Sequence, residues 1–77
     1  MPRYYFHIYH DGVDRDHDGV ELPDRHAAWQ EATTTAGQIL QGLDGKLRPG
    51  HGWRMEVTDV SGHPVYVLQV NAETCPE

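Results

Sequence analysis

Residues 24–43, "DRHAAWQEATTTAGQILQGL", decide the fold, because their apolar side chains recur at three- and four-residue steps. That spacing predicts an amphipathic helix of about five turns. Asp24 suits the N-cap, where its carboxylate can accept the unpaired N–H groups of the first turn. The apolar stripe of this helix consists of Ala28, Ala32, Ala36, Ile39, Leu40 and Leu43, with Trp29 at its rim.

The segments before the helix follow a period of two. Residues 3–9, "RYYFHIY", alternate between two sets of side chains and are rich in aromatic and β-branched residues, which predicts a strand. Residues 19–22, "GVEL", predict a short second strand after a polar loop. We expect these two strands to form a hairpin with a long connection.

Two more strands are predicted after the helix. Residues 46–52, "KLRPGHG", are expected to form a loop, because proline and glycine interrupt regular structure. Residues 53–59, "WRMEVTD", alternate apolar with polar side chains, as in a strand with one dry and one wet face. Residues 65–70, "VYVLQV", are apolar on both faces. Such a strand is usually central in its sheet or covered by a partner.

The order β-β-α-β-β predicts an α+β fold: a two-layer sandwich with a four-stranded, mainly antiparallel sheet and one helix packed on one face. Because 77 residues do not hold two cores, we expect a single domain at residues 1–70 and a flexible C-terminal tail at 71–77. The predicted core consists of Tyr4, Phe6, Ile8, Val20, Leu22, Ala28, Ala32, Ala36, Ile39, Leu40, Leu43, Trp53, Met55, Val57 and Leu68.

A sheet covered on one side leaves its other face bare. That face is expected to show Tyr5, His7 and Tyr9, together with Tyr66 of the last strand, and these four are the candidate interface residues. This much aromatic surface indicates a protein partner or a second copy of the chain. We therefore expect a small binding or interaction protein, and a homodimer through the open sheet face is one form that it can take.

The composition bears on partners and compartment. Six Lys and Arg against twelve Asp and Glu give a net charge of −6, and no window gathers basic residues with aromatics, which argues against nucleic-acid binding. The single cysteine, Cys75, allows no disulfide within the chain and suits a reducing cytoplasm. No apolar run approaches the roughly 18 residues of a membrane span, and no signal-peptide region is present. We expect a cytoplasmic protein without nucleic-acid or membrane partners.

The acidic stretch "DRDHDG", residues 14–19, matches the first half of the calcium-loop motif D-x-[DN]-x-[DN]-G-x5-E. The twelfth position, where a bidentate glutamate belongs, is Arg25. The preferred interpretation is therefore a turn that leads into the helix. Weak calcium binding through Asp14, Asp16 and Asp18 is the alternative, and neither a firm metal site nor a cofactor is predicted.

The sequence offers no catalytic constellation. None of its six histidines has a recognised metal-binding spacing, although a cluster of His7, His17 and Asp18 is conceivable. Nucleophilic catalysis needs a nucleophile held beside a base, and neither Cys75 nor Ser61 stands in such a pattern. We expect no enzyme and assign no catalytic residues.

Several stretches together resemble a family of small bacterial proteins whose domain has no known function. They are "MPRYYFHI", a following "DG", Asp16 and Gly19 before "ELPD", an Ala-rich helix with "EA", and "WRMEVTDVSGHPV". The resemblance covers residues 1 to about 70 and implies architecture alone, because the family brings no activity, cofactor or catalytic residue. Its recurring part is Gly19 with "ELPD", which favours the structural interpretation of the acidic loop.

A fainter resemblance is to the antitoxin halves of HicAB-type toxin–antitoxin systems. It rests on the β-rich start, "LPD" at residues 22–24 and "EA" at residues 31–32. The chain lacks the "PGC" that usually follows and has no added DNA-binding segment. The resemblance implies a HicB-type module that neutralises a toxin as an alternative function.

Overall fold

The structure is a computed structural model that describes residues 1–10, 12–43, 50 and 52–76. One helix packs on an antiparallel sheet, which confirms the predicted α+β fold. Of the loop predicted at residues 46–52, all but Gly50 and Gly52 lies outside the described residues. The elements are strands β1 (Arg3–Tyr9), β2 (Val13–Asp14) and β3 (Val20–Glu21), helix α1 (Arg25–Leu43), and strands β4 (Trp53–Thr58) and β5 (Pro64–Val70).

The strands form one sheet in the order β2-β1-β4-β5, and β3 also pairs with β1. All pairings are antiparallel. One edge of β1 therefore has two short partners: β2 pairs with its C-terminal end, where Ile8 lies opposite Asp14, and β3 with its N-terminal end, where Arg3 lies opposite Glu21. Strand β2 is an addition to the four predicted strands, because two residues are too few to show a period in the sequence.

The core lies between α1 and the central strands β1 and β4. Small side chains on α1 face large ones on β4, so the helix backbone lies close to the sheet. The buried apolar residues are Tyr4, Ala28, Ala32, Ala36, Trp53, Met55 and Val57. Around them pack the half-buried Phe6, Ile8, Leu22, Ile39, Leu40, Leu43 and Leu68. All of these were predicted core residues. The prediction is wrong for Val20, which is 40% exposed because β3 lies at the margin of the sheet.

Aspartates fix the start of the helix and the last turn. The Asp24 carboxylate accepts the N–H of Ala27 at 2.9 Å, which confirms the predicted N-cap. Between β4 and β5, the Asp59 carboxylate accepts the N–H groups of Ser61 at 2.9 Å and His63 at 3.0 Å. These local bonds satisfy backbone donors where no strand or helix partner exists.

Strand β5 lies at the edge of the sheet, beside β4. The sequence offered two explanations for the apolar residues on both faces of this strand, and the first, a central position in the sheet, is therefore wrong. The other explanation, a covering partner, stays a prediction. Residues 71–76 have no regular secondary structure, although the carbonyl of Ala72 accepts the N–H of Gly50 at 2.9 Å. The predicted flexibility of this tail also stays a prediction.

Candidate functional site

The carboxylate of Asp16 holds the acidic loop against β1. Its Oδ2 accepts the backbone N–H of Phe6 at 3.2 Å, and its Oδ1 accepts those of Asp18 and Gly19, each at 3.1 Å. Phe6 lies between the residues of β1 that pair with β2 and those that pair with β3. The carboxylate thus takes the place of a strand carbonyl where the pairing is interrupted.

These donors set the ionisation of Asp16. Partial burial alone would raise the pKa of its carboxyl, but the N–H groups of Gly19, Phe6 and Asp18 lower the pKa below the ordinary value. The charged form is the one that three donors stabilise. Asp16 is therefore a structural anion at neutral pH.

This arrangement bears on the calcium alternative. A cation at Asp16 would compete with three backbone donors for the same two oxygens. The side chains of Asp14 and Asp18 are exposed at an open groove of about 340 Å³ beside the loop. Within the described ranges, no three His, Cys, Asp or Glu side chains come together as metal ligands would, and this applies to the conceivable cluster of His7, His17 and Asp18 as well. Calcium binding stays an untested prediction.

Gly19 is required by the way the loop closes on β1. Its φ of +71° lies in the left-handed region. A Cβ built at this position would come within 2.9 Å of the Tyr4 carbonyl oxygen, and equally close to Arg3 Cγ and Tyr5 Cε2. Both the backbone conformation and the lack of space therefore exclude a side chain. The sequence-based interpretation of Gly19 as a tight turn agrees with this geometry.

Arg3 closes the loop from the other side. One guanidinium nitrogen donates to the carbonyl of Asp18 at 2.6 Å, and another contacts Glu21 Oε1 at 3.1 Å. The ion pair is solvent-exposed, with the two side chains 38% and 54% exposed, so its own contribution to stability is small. Its effect is to hold the two ends of the turn in one position.

His7 is buried under this loop, although it belongs to the open face of the sheet. The backbone N–H of Asp16 donates to its Nδ1 at 3.1 Å, and its Nε2 lies 3.2 Å from Thr58 Oγ1. Nδ1 must carry a lone pair to accept the Asp16 N–H, so the proton of the neutral ring is on Nε2 and is donated to Thr58. In this tautomer His7 cannot take a proton from the threonine hydroxyl. The contact is structural.

The strand registers define the open face row by row. Tyr9 lies opposite Val13 of β2 and Arg54 of β4, whereas His7 lies opposite Glu56. The Arg54 guanidinium is 5.5 Å from the centre of the Tyr9 ring and 3.1 Å from Glu56 Oε2. Tyr5 stacks parallel to His7 with 6.5 Å between the ring centroids. The residues assigned to this face by their register are Arg3, Tyr5, His7, Tyr9, Val13, Glu21, Arg54, Glu56, Thr58, Val67 and Gln69.

Two of the four candidate interface residues are placed differently from the prediction. His7 shares the open face but is only 9% exposed, because the loop at residues 15–19 covers it. Tyr66 lies opposite Val57 and therefore on the helix side, where its ring centroid is 5.1 Å from that of Trp29. Tyr5 and Tyr9 lie on the open face, as predicted, and are half-buried there; their role in an interface stays a prediction.

The outer edge of β5 is a feature that the sequence alone did not reveal. No strand within the described residues pairs with it. Arg25 reaches it from the start of α1, donating to the carbonyl of Val65 at 3.2 Å and placing its guanidinium 5.4 Å from the centre of the Tyr66 ring. The available signal was the apolar, uncharged run at residues 64–70, which can equally belong to an inner strand.

The fold and the site define a small α+β domain with a sheet open on one side and a polar loop fastened to its first strand. Residues 3–71 match a family described as a domain of unknown function, DUF6894, and the chain belongs to that family. This confirms the family resemblance seen in the sequence. No curated protein and no solved structure matches the chain significantly. Within the described ranges, no helix has both the length and the apolar character needed to cross a membrane.

Proposed function

We propose that this protein is a non-catalytic interaction module that binds a protein partner through the open face of its sheet. The observation that carries the proposal is the one-sided covering of the sheet. Helix α1 packs on one face, whereas on the other face the described residues contribute only the loop at residues 15–19, which lies over His7 of β1. The open face carries half-buried Tyr5 and Tyr9 and two exposed valines, Val13 at 58% and Val67 at 44%.

The chemistry of the open face suits a protein partner. Tyrosine and arginine are enriched at protein interfaces, and here Tyr9 and Arg54 are already in contact, with a centroid distance of 5.5 Å. Arg54 is also paired with Glu56, so the face presents few unpaired charges. The chain's net charge of −6 supports the view that nucleic acid is not the partner.

The state of His7 supports the non-catalytic part of the proposal. It is a buried imidazole beside a hydroxyl, but its tautomer donates to Thr58 instead of accepting from it. General-base catalysis requires the opposite arrangement. Thr58 is itself buried, so a substrate could not reach its hydroxyl.

Site-specific photo-crosslinking in the cells that make the protein tests the proposal. A photoreactive amino acid is placed at position 9 or 13, on the open face, or at position 38, exposed on α1. We expect defined adducts from positions 9 and 13 and none from position 38. Equal labelling from all three positions, or no adduct from any, would show that the open face is not a specific docking surface.

A further inference from the structure

The two edges of the sheet differ in how much of their length is paired. The edge of β1 is occupied along its length by β2, by the Asp16 carboxylate and by β3. The outer edge of β5 has no paired strand among the described residues. An unpaired strand edge presents N–H and C=O groups in a row, ready to pair with another strand.

Strand β5 also has few of the features that usually protect such an edge. Natural edge strands carry charged side chains, prolines or bulges. Here the run from Pro64 to Ala72 contains no charged residue. The proline stands at the first position of the strand, and the bulge lies next to it at Val65, because Val57 lies opposite Tyr66 and Thr58 opposite Pro64. These features and the bond from Arg25 to Val65 protect only the beginning, and no strand in the described part of the chain pairs with the outer side of residues 66–70.

We propose that β5 pairs antiparallel with β5 of a second copy of this chain. A twofold axis perpendicular to the sheet produces this pairing and keeps each face on its own side. The two sheets then form one continuous sheet, with both helices on one face and both open faces on the other. The pairing is made by backbone groups of the β5 edge and not by the side chains of the open face, so this inference does not depend on the proposed function.

A second copy of the chain fits the β5 edge because the edge is uncharged and because its apolar side chains would meet the same apolar side chains of the other copy. Two copies with a net charge of −6 each repel one another, but the contact here lies in an uncharged stretch. The twofold axis keeps the half-buried Tyr66, Leu68 and Val70 of each chain on the helix side, against the same residues of the other. Val67 and Gln69 remain together on the open side. A single domain of this size can form only a small hydrophobic core, and the dimer enlarges that core.

Two matched variants test the pairing by light scattering and sedimentation over a concentration series. Val67→Lys places a charge at the β5 edge, close to its copy across the axis, whereas Val13→Lys places the same charge on the same face at the far end of the sheet. We expect the wild type to reach twice the chain mass of 8.7 kDa. We expect Val67→Lys to raise the dimer dissociation constant at least tenfold and Val13→Lys to leave it within twofold.

Hydrogen exchange gives an independent measurement that needs no substitution. Edge pairing predicts that amides within residues 66–70 become more protected as the protein concentration rises, while those of β1 do not change. A wild type that stays monomeric at millimolar concentration overturns the inference. So does a dimer that survives Val67→Lys but is lost in Tyr9→Ser, which would place the contact on the open face. The inference is also overturned if the measured mass exceeds that of the monomer only after a peptide from another protein is added, because the edge then binds that peptide and not a second copy.

Discussion

Asp16 Oδ2 accepts the backbone N–H of Phe6 at 3.2 Å across ten residues of chain. The bond joins the middle of an acidic loop to the middle of the first strand, where neither β2 nor β3 pairs. An acidic stretch that resembles half a calcium loop is thereby used to complete the edge of a sheet. The same carboxylate holds the turn at Gly19 closed.

Replacing Asp16 by asparagine keeps the shape of the side chain but turns one acceptor oxygen into a donor NH₂ group. One of the backbone N–H groups then faces another donor, and the charge that strengthens all three bonds is lost. We expect Asp16→Asn to lower the free energy of unfolding by about 1–3 kcal/mol, the usual cost of an unsatisfied partner of a charged group. Urea denaturation measures it. Asp18→Asn, at an exposed side chain of the same loop, is the control and should change little.

The lowered pKa of Asp16 also predicts a pH dependence. Because the folded-state pKa lies below the ordinary value of 3.8, folding is favoured by the charged form. This contribution to stability is fully present above the unfolded-state pKa and is lost as the pH falls from there through the folded-state pKa. We therefore expect the difference in unfolding free energy between wild type and Asp16→Asn to shrink below about pH 4. A difference that stays constant from pH 7 to pH 3 would contradict the assignment.

The helix and its cap could be predicted because their signals are local. The Ala28, Ala32 and Ala36 spacing and the Asp24 cap each depend on residues within one or two turns. The role of Asp16 could not be predicted, since its partner Phe6 becomes a neighbour only when β2 and β3 fold back on β1. Sequence spacing identified the acidic residues but not what their oxygens bind.

The last strand shows the same limit. Alternation correctly separates Tyr66 and Leu68 from Val67, yet it does not say which set the helix covers when both are apolar. Pairing with β4 settles this, because Tyr66 lies opposite the buried Val57. The burial of His7 could not be predicted either. A period-two pattern assigns the residue to a face of the sheet but does not show that a loop covers it.

Gly19 offers a test of the loop closure through the backbone. We expect Gly19→Ala to lower the unfolding free energy by about 1–3 kcal/mol, because the residue has positive φ and its new Cβ would meet the Tyr4 carbonyl oxygen at 2.9 Å. Gly37→Ala is the matched control: it lies within α1 with open space around it, so alanine should stabilise by about 0.5–1 kcal/mol. Thermal or urea unfolding measures the change in unfolding free energy, which should be a loss for Gly19→Ala and a gain for Gly37→Ala. A loss at both positions, or at neither, would contradict this account.

His7 provides a test that depends on where one proton lies. Donation from the Asp16 N–H to Nδ1 requires the Nε2–H tautomer, so a long-range ¹⁵N–¹H NMR spectrum near neutral pH should show His7 in that single form. The exposed His17, His26 and His63 serve as internal references, since their rings are open to water. A proton on Nδ1 would mean that the loop does not rest on this ring.

His7→Phe extends the test to stability. Phenylalanine fills most of the space but leaves the Asp16 N–H and the buried Thr58 hydroxyl without the ring nitrogens they contact. We expect a loss of about 1–3 kcal/mol, typical of stranded buried polar groups. His26→Phe, on the exposed side of the first turn of α1, should stay within about 0.5 kcal/mol. If both variants unfold at the wild-type urea concentration, the His7 contacts do not stabilise the fold, and the base of the acidic loop must be held by Asp16 and Arg3 alone.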